Sequence, residues 1–443
     1  MIIVDTALEE REAAGRPIRV GIVGAGFMAQ GLTNHIENTV PGMRVVGISN
    51  RRPARAAEVF RYAGVEPVAV ESQSRFDEVT ASGGAAFTDD PFLLCRSENV
   101  DVICEVTGSV ELGAQVALEA FAHGKDVVLM NAELEATIGP ILDVYADRHG
   151  VILSACDGDE PGVQLDLVRW VKGLGLEPRV VGNVKGLQDP YRNPTTQKGF
   201  AEQWGQNPAM VTSFADGSKI SFEQAIVANA TGFTVLERGM SRGVEYRDDV
   251  MKIGQLYDVE RVRELGGIVD YVVGTPLTKV YVLAEHDDPK QRHYLNLYKM
   301  GEGPLYSFFI PYHLVHFEVP NSIARVALLR DPVSRALDGP VVEVCAVAKR
   351  DLKAGETLDD YGEYMTYGEA VAADEMCTRR YLPEGLVEGC VLQRDIAQDA
   401  VITYDDVELP AGRVADRLRA EQYERFRGET WLADIVSQVA ASA

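Results

Sequence analysis

The sequence contains no CxxC or CxxH pair, and its six cysteines (Cys95, Cys104, Cys156, Cys345, Cys377, Cys390) stand singly. That spacing excludes the common zinc modules and fits reduced thiols, so the expected location is the cytoplasm. Positive charge is scarce: 43 Lys and Arg face 67 Asp and Glu, a net charge of −24. Such a chain repels phosphate backbones and anionic bilayers, which excludes nucleic acid and membrane as partners. A small phosphorylated molecule is not excluded, because a local cluster of Lys and Arg can hold it. No apolar run reaches spanning length, and the opening residues MIIVDTALEEREAAG are acidic rather than signal-like.

What is present is ordinary globular material, 46% hydrophobic and 25% charged, over 443 residues, enough for two or three domains. Residues 1–17 read as a short charged helix. From Ile18 apolar strands alternate with amphipathic helices, the pattern of an α/β fold with a parallel sheet. Strands are expected at IRVGIVG (from Ile18), MRVVGISN (Met43), DVICEVTG (Asp101), DVVLMN (Asp126) and GVILSAC (Gly150). The stretch Ala63 to Thr88 reads as one long polar connection. After Cys156 the character changes. The helix GVQLDLVRWVKGLG precedes strand-like KVYVLAEH and LYSFFIPYHLVHFEVP, which suggests a mixed or antiparallel sheet. The expected division is a Rossmann domain over 1–156, an α+β substrate and dimerisation domain over 157–338, and a small β domain with a closing helix over 339–443. Within the last, AKRDLKAGETLD is echoed by LQRDIAQDAVITYDDVEL. This module resembles the SAF β-clip.

GIVGAGFMAQG carries Gly24, Gly26 and Ala29 in the GxGxxA form, directly after a strand and opening a helix with Phe27 and Met28. Gly24 permits the tight turn, Gly26 lets a pyrophosphate approach the backbone, and Ala29 allows close helix packing. The free N–H groups of the helix start suit the phosphates. Roughly 20 residues on, NAD enzymes place an acid for the ribose hydroxyl. This chain has Asn50, Arg51 and Arg52, and guanidinium groups pair with a 2′-phosphate, which favours NADP(H). Ligands of such sheets lie outside the carboxyl ends of the strands, so Thr107, Gly108 and Asn131 are expected to border the nicotinamide. Glu133 is either nearby support or a helix-start acid.

The turn Asp157-Gly158-Asp159-Glu160 places three carboxylates in four residues. Asp157, Asp159 and Glu160 could bind Mg²⁺ or Mn²⁺, transfer protons, or cap the following helix. Two loops of the middle domain gather basic and polar residues. Lys185, Arg192 and Lys198 lie in one; Ser218, Lys219 and Asn229 belong to the other. They suit an anionic, hydroxyl-bearing substrate, with Arg192, Lys198 and Ser218 as binding candidates. Lys185, Lys219, Asp157, Glu160 and Asn229 are the catalytic candidates, a lysine protonating the alkoxide formed by hydride transfer. In PYHLVHFEVP, His316 and Glu318 share a face if the segment is a strand, with His313 close by.

GIVGAGFMAQG, DVICEVTG, GKDVVLMN and the turn after SACDGDEPG together resemble the homoserine dehydrogenase superfamily over residues 18 to about 240. Asn131-Ala132 stands where those enzymes carry Asn-Lys, and Lys185-Gly-Leu-Gln-Asp replaces their Asn-Gly-Thr-Thr loop. With the C-terminal module added, nearly the whole chain is similar to 1-deoxy-D-xylulose 5-phosphate reductoisomerase-like enzymes. That resemblance implies NADPH, a homodimer and reduction of a carbonyl on a small, polyol-type substrate. Three readings follow. The first is a reductoisomerase forming 2-C-methyl-D-erythritol 4-phosphate for isoprenoid precursors. The second is a dehydrogenase of a polyol, sugar acid or homoserine-like substrate. The third is a cofactor-binding regulator without turnover.

Overall fold

The computed structural model describes residues 3–241, 243–274 and 279–442. The first helix spans Asp5–Ala13; residues 1 and 2 of the expected segment lie outside the described residues. The chain forms two compact units, Ile2–Asp159 with Leu314–Arg335, and Glu160–His313 with Ala336–Ala443.

The first unit is built on a seven-stranded sheet. Its strands are β1 (Ile18–Val23), β2 (Met43–Ser49), β3 (Val68–Ala69), β4 (Ala86–Thr88), β5 (Val102–Glu105), β6 (Asp126–Leu129) and β7 (Leu153–Ala155). They run parallel in the order β3-β4-β2-β1-β5-β6-β7. Strands covered on both faces need continuous apolar runs, and β1, β5 and β6 supply them. The order reverses between β1 and β5, which places the ligand crevice at their carboxyl ends. The expected connection Ala63–Thr88 instead holds β3, the helix Gln73–Ala81 and β4. Strands of two and three residues give no alternation to read, and both residues of β3 are exposed.

The segment Leu314–Arg335 returns to this unit. The expected long strand LYSFFIPYHLVHFEVP divides: β12 (Tyr306–Ile310) is strand, whereas Val315–Ala324 is helix. Val319 and Ile323, one turn apart, join the core with Ile22, Ala29, Leu32 and Ile36. Apolar spacing of four over VHFEVPNSI overrode the β propensity of its residues.

In the second unit β8 (Glu177–Lys185), β9 (Val244–Glu245), β10 (Ile268–Val273), β11 (Lys279–Glu285) and β12 form a mixed sheet ordered β12-β11-β8-β10-β9. β8 and β10 are parallel, and β11 is antiparallel to β8 and β12. The helix Glu160–Gly173 lies on β8 and β11; beside it the helix Ser218–Thr231 packs on β10. The C-terminal module belongs to the same unit. β13 (Val342–Ala348) and β14 (Thr366–Ala372) pair antiparallel, followed by two-residue strands β15 (Val391–Leu392) and β16 (Val407–Glu408). The two echoed segments face one another. Leu352 and Ile396, each following Arg-Asp, exchange backbone hydrogen bonds of 2.8 and 3.0 Å. No helix among the described residues is long and apolar enough to cross a membrane.

Candidate functional site

In the first unit, the turn between β1 and the helix Phe27–Thr39 has the shape a dinucleotide requires. Gly24 has φ +113°, and a Cβ there would come within 2.9 Å of Val106, so only glycine permits the approach. No side chain caps the helix at Gly26, and the space above that residue is open. Its first-turn N–H groups, with Phe27 exposed, Met28 partly so and Ala29 buried, fit a pyrophosphate. Gly24 N donates to Ser49 O at 2.9 Å, which brings the β2 end beside this turn. There Asn50 Oδ1 accepts from Arg52 N at 2.9 Å, and the exposed side chains of Arg51 and Arg52 follow.

Beyond β5 a buried network sets the next loop. Glu105 accepts from Thr107 N (2.8 Å), from the Thr107 hydroxyl, and from Asn131 Nδ2 (2.8 Å). Burial pushes the Glu105 carboxyl up to about 7, even though these three hydrogen bonds favour its charged form. Gly108 follows at φ +73°. Asn131 is fully buried and its amide is committed, with Oδ1 accepting from Leu134 N and Nδ2 also reaching Ser109 O. It shapes the Thr107–Ser109 loop from beneath rather than presenting a free amide to a ligand.

The second unit holds a buried polar cluster. Alternation along β8 sends Asn183 and Lys185 to one face. Glu160, first residue of its helix, accepts from Asn183 Nδ2 and lies 3.3 Å from Lys185 Nζ. His313 Nε2 is 3.5 Å from Glu160 Oε1, and Glu223 hydrogen-bonds Glu160. Lys219 and Glu223 occupy one face of their helix, and both are buried. Burial opposes both charges, but the mutual attraction wins. Glu160 lies below the usual carboxylate range, and Lys185, beside Glu160 and Glu223, lies above the usual lysine value. Asn183 Oδ1 and both amide atoms of Gln164, one turn along from Glu160, are buried with no hydrogen-bond partner. Unmet donors and acceptors next to an ion pair fit a hydroxyl- or carbonyl-bearing ligand.

Several expected site residues serve elsewhere. Asp157 belongs to the first unit, where Arg325 Nη1 donates to it at 2.8 Å and the Ser322 hydroxyl at 3.1 Å. Asp159 is half-buried, and among the described residues no group of three or more His, Cys, Asp and Glu side chains is arranged to hold a metal. Asn229 Oδ1 accepts from Val341 N (2.7 Å) and Val342 N (3.1 Å), a structural cap. Ser218 Oγ accepts from Gly368 N. Arg192 pairs with neighbouring Asp189 at 3.0 Å, and exposed Lys198 with Glu202 at 3.7 Å, so neither joins Lys185. His316 and Glu318 are helical rather than strand neighbours; His316 packs on Gly31, and Glu318 accepts from Leu314 N. Sequence reasoning missed Asn183 and the partnership of His313 with Glu160. The signal for Asn183 was a polar residue two before Lys185 in an apolar strand; His313 stood out in its own segment, but nothing local signals its pairing with Glu160, 153 positions away.

Residues 18–130 match the family profile "Oxidoreductase family, NAD-binding Rossmann fold", and residues 158–319 match "Oxidoreductase DRL, catalytic domain". The two matches define the class: an NAD(P)-binding Rossmann segment followed by an oxidoreductase catalytic segment. Among curated proteins the chain is similar to homoserine dehydrogenases. It is 25% identical to that of Neisseria gonorrhoeae over 138 residues, 31% of this chain and 28% of the relative. It is 23% identical to that of Synechocystis over 223 residues, 48% of each chain. The chain thus spans less than half the length of these relatives. Among solved structures, a probable dehydrogenase from Thermotoga maritima is 13% identical with TM-score 0.41, covering 71% of this chain and 90% of that one. The scyllo-inositol dehydrogenase of Lactobacillus casei is 12% identical with TM-score 0.34, covering 68% and 71%.

Proposed function

We propose that the protein is an NADP(H)-preferring dehydrogenase or reductase of a small polar substrate, of the polyol, sugar acid or homoserine-like kind. The observation that carries this reading is the buried Lys185–Glu160 pair, with Asn183 and His313, inside the catalytic segment. Bound nicotinamide supplies or accepts a hydride at carbon. Lys185 delivers the proton to the carbonyl oxygen as it becomes a hydroxyl, or removes it in the reverse direction. Glu160 keeps Lys185 protonated, and Asn183 fixes the carboxylate.

Charge balance favours this reading over a sugar phosphate. Lys185 and Lys219 are matched by Glu160 and Glu223, and a phosphate dianion would need cations left over. The cations that would anchor the phosphate of a reductoisomerase substrate, Lys185, Arg192, Lys198 and Lys219, are not drawn together, because Arg192 and Lys198 are paired with Asp189 and Glu202 on their own loop and helix. The NADP preference rests on Arg51 and Arg52, exposed beside the dinucleotide turn where a 2′-phosphate would lie.

The test is turnover of NADPH and NADH, and of their oxidised forms, against homoserine, inositols, sugar acids and 1-deoxy-D-xylulose 5-phosphate. Turnover with an unphosphorylated substrate is expected. Turnover with the sugar phosphate alone would reverse the choice in favour of the reductoisomerase. Titration calorimetry with both cofactors checks the preference, and Arg51→Ala is expected to narrow it; equal affinities in the unaltered protein would remove the NADP assignment.

A further inference from the structure

The helix Ser218–Thr231 carries Lys219 and Glu223, and at its start, after Gly217, Asp216 Oδ1 accepts from Ser218 N at 2.9 Å. Its stops come from the C-terminal module. In the β13–β14 pair, Ala346 opposes Gly368. Ala346 turns its backbone outward, donating to Leu382 O and accepting from Ile402 N, both at 2.9 Å. Gly368, directly opposite, turns its own N–H and C=O to the other side, where a third strand would normally pair. Two serines of the helix take that place. Gly368 N donates to Ser218 Oγ at 2.9 Å, and Ser221 Oγ donates to Gly368 O at 3.0 Å. A third tie sits just ahead of the helix, where buried Asp216 pairs with Lys349 of the module at 2.8 Å. The helix end is tied by Asn229 to the Val341 and Val342 amides. The loop after Lys185 is held as well, Tyr191 donating to Asp399 at 2.9 Å.

We infer that the C-terminal module is a positioning element of the reaction centre: the edge of β14 at Gly368 sets the axial and rotational placement of Lys219 and Glu223. Ser218 and Ser221 sit three apart, so one glycine peptide clamps one turn of the helix. Lys219 lies between them in sequence, and Glu223 lies one turn beyond it, in contact with Glu160. A shift of the helix along its axis would therefore change the field at Lys185. The inference rests on the proposed role of the Lys185–Glu160 cluster, and its test is arranged to be independent of any substrate.

The double variant Ser218→Ala/Ser221→Ala removes both hydroxyls and leaves every charged group in place. Lysine side chains labelled with ¹³C at Cε report, by NMR, the titration of Lys185 and Lys219, two of the three buried lysines, in the unaltered and altered proteins. The expected result is a displaced titration midpoint for Lys185 and Lys219, with NADPH affinity unchanged. Where a substrate has been found, kcat is expected to fall roughly five- to tenfold, as for one or two lost hydrogen bonds, with the cofactor KM held. Ser218→Ala/Ser221→Thr, which keeps one hydroxyl, should restore most of the unaltered titration and kcat. Unchanged lysine titration and kcat with only a lower Tm would overturn the inference and leave the contact purely structural. If no substrate on the panel turns over, the functional reading fails while the lysine titration still decides this one. Should the double variant not fold, Ser221→Ala alone is read by the same signals.

Discussion

Glu105 shows how one side chain can hold opposing forces in balance. Burial raises its carboxyl to about 7, while Thr107 and Asn131 donate hydrogen bonds that favour the anion. Glu135, raised to about 8 by burial against its bond from Ser334, has the same character. Because both folded values lie above the unfolded one, the folded state binds the extra protons. Their contribution is full below about pH 4.3 and is lost as pH rises through 7 to 8. Calorimetric Tm is therefore expected to decline from pH 5 to pH 8. Glu105→Gln, which cannot ionise, should flatten that slope by up to about 3 kcal/mol of stability across the range. An unchanged slope would mean that Glu105 does not titrate there. Lys185 is the other decisive residue. Lys185→Ala removes the proposed proton donor and is expected to lower kcat by roughly 10²- to 10⁴-fold, with NADPH affinity measured by fluorescence unaffected. A loss confined to KM would assign it to binding alone.

At the scale of elements, the turn after β7 and the segment beginning at Leu314 are joined by the buried Arg325–Asp157 pair, with Asp331 at 2.9 Å on the same guanidinium. Removing one member strands a buried charge, so Arg325→Met should cost about 3–5 kcal/mol in urea unfolding. Asp157→Leu added to it should recover much of that loss, because the apolar pair leaves no fully buried charge unmatched, Asp331 being partly exposed. A double variant as unstable as the single would show that packing, not charge, is responsible. The same segment marks where reading the sequence stopped short. β1, β2, β5 and β6 and the GxGxxA turn were legible because buried parallel strands are continuous apolar runs and the turn's chemistry is local. VHFEVPNSI was not, since valine and phenylalanine favour strand, and its apolar spacing of four decides for helix only where Ile22 and Leu32 receive it. The carboxylates at 157–160 were legible as a cluster but not in their roles. Which neighbour each one meets is decided by residues between 23 and 168 positions away, as Asn183 and Arg325 show.

For the whole molecule, the chain leaves the first unit at Asp159, re-enters it at Leu314 and leaves again after Arg335. Val319, Ile323, Ala324 and Val326 are fully buried in the first unit's core. The larger of these side chains contribute about 1.5–3 kcal/mol each. A fragment ending at Asp159 therefore lacks part of its interior. It is expected to show dye-binding exposed core and no cooperative unfolding, whereas joining residues 314–335 to it should restore a sharp transition and NADPH binding. The join is short, since a Cβ on Gly158 would stand 2.9 Å from Val315 O. A cooperative transition in the shorter fragment would show that the returning helix is dispensable. The layout also bears on heredity. A single crossover between genes anywhere after codon 159 and before codon 336 divides the cofactor unit's own coding sequence. Exchange of this dinucleotide-binding part between lineages then requires three breakpoints, after codons 159, 313 and 335.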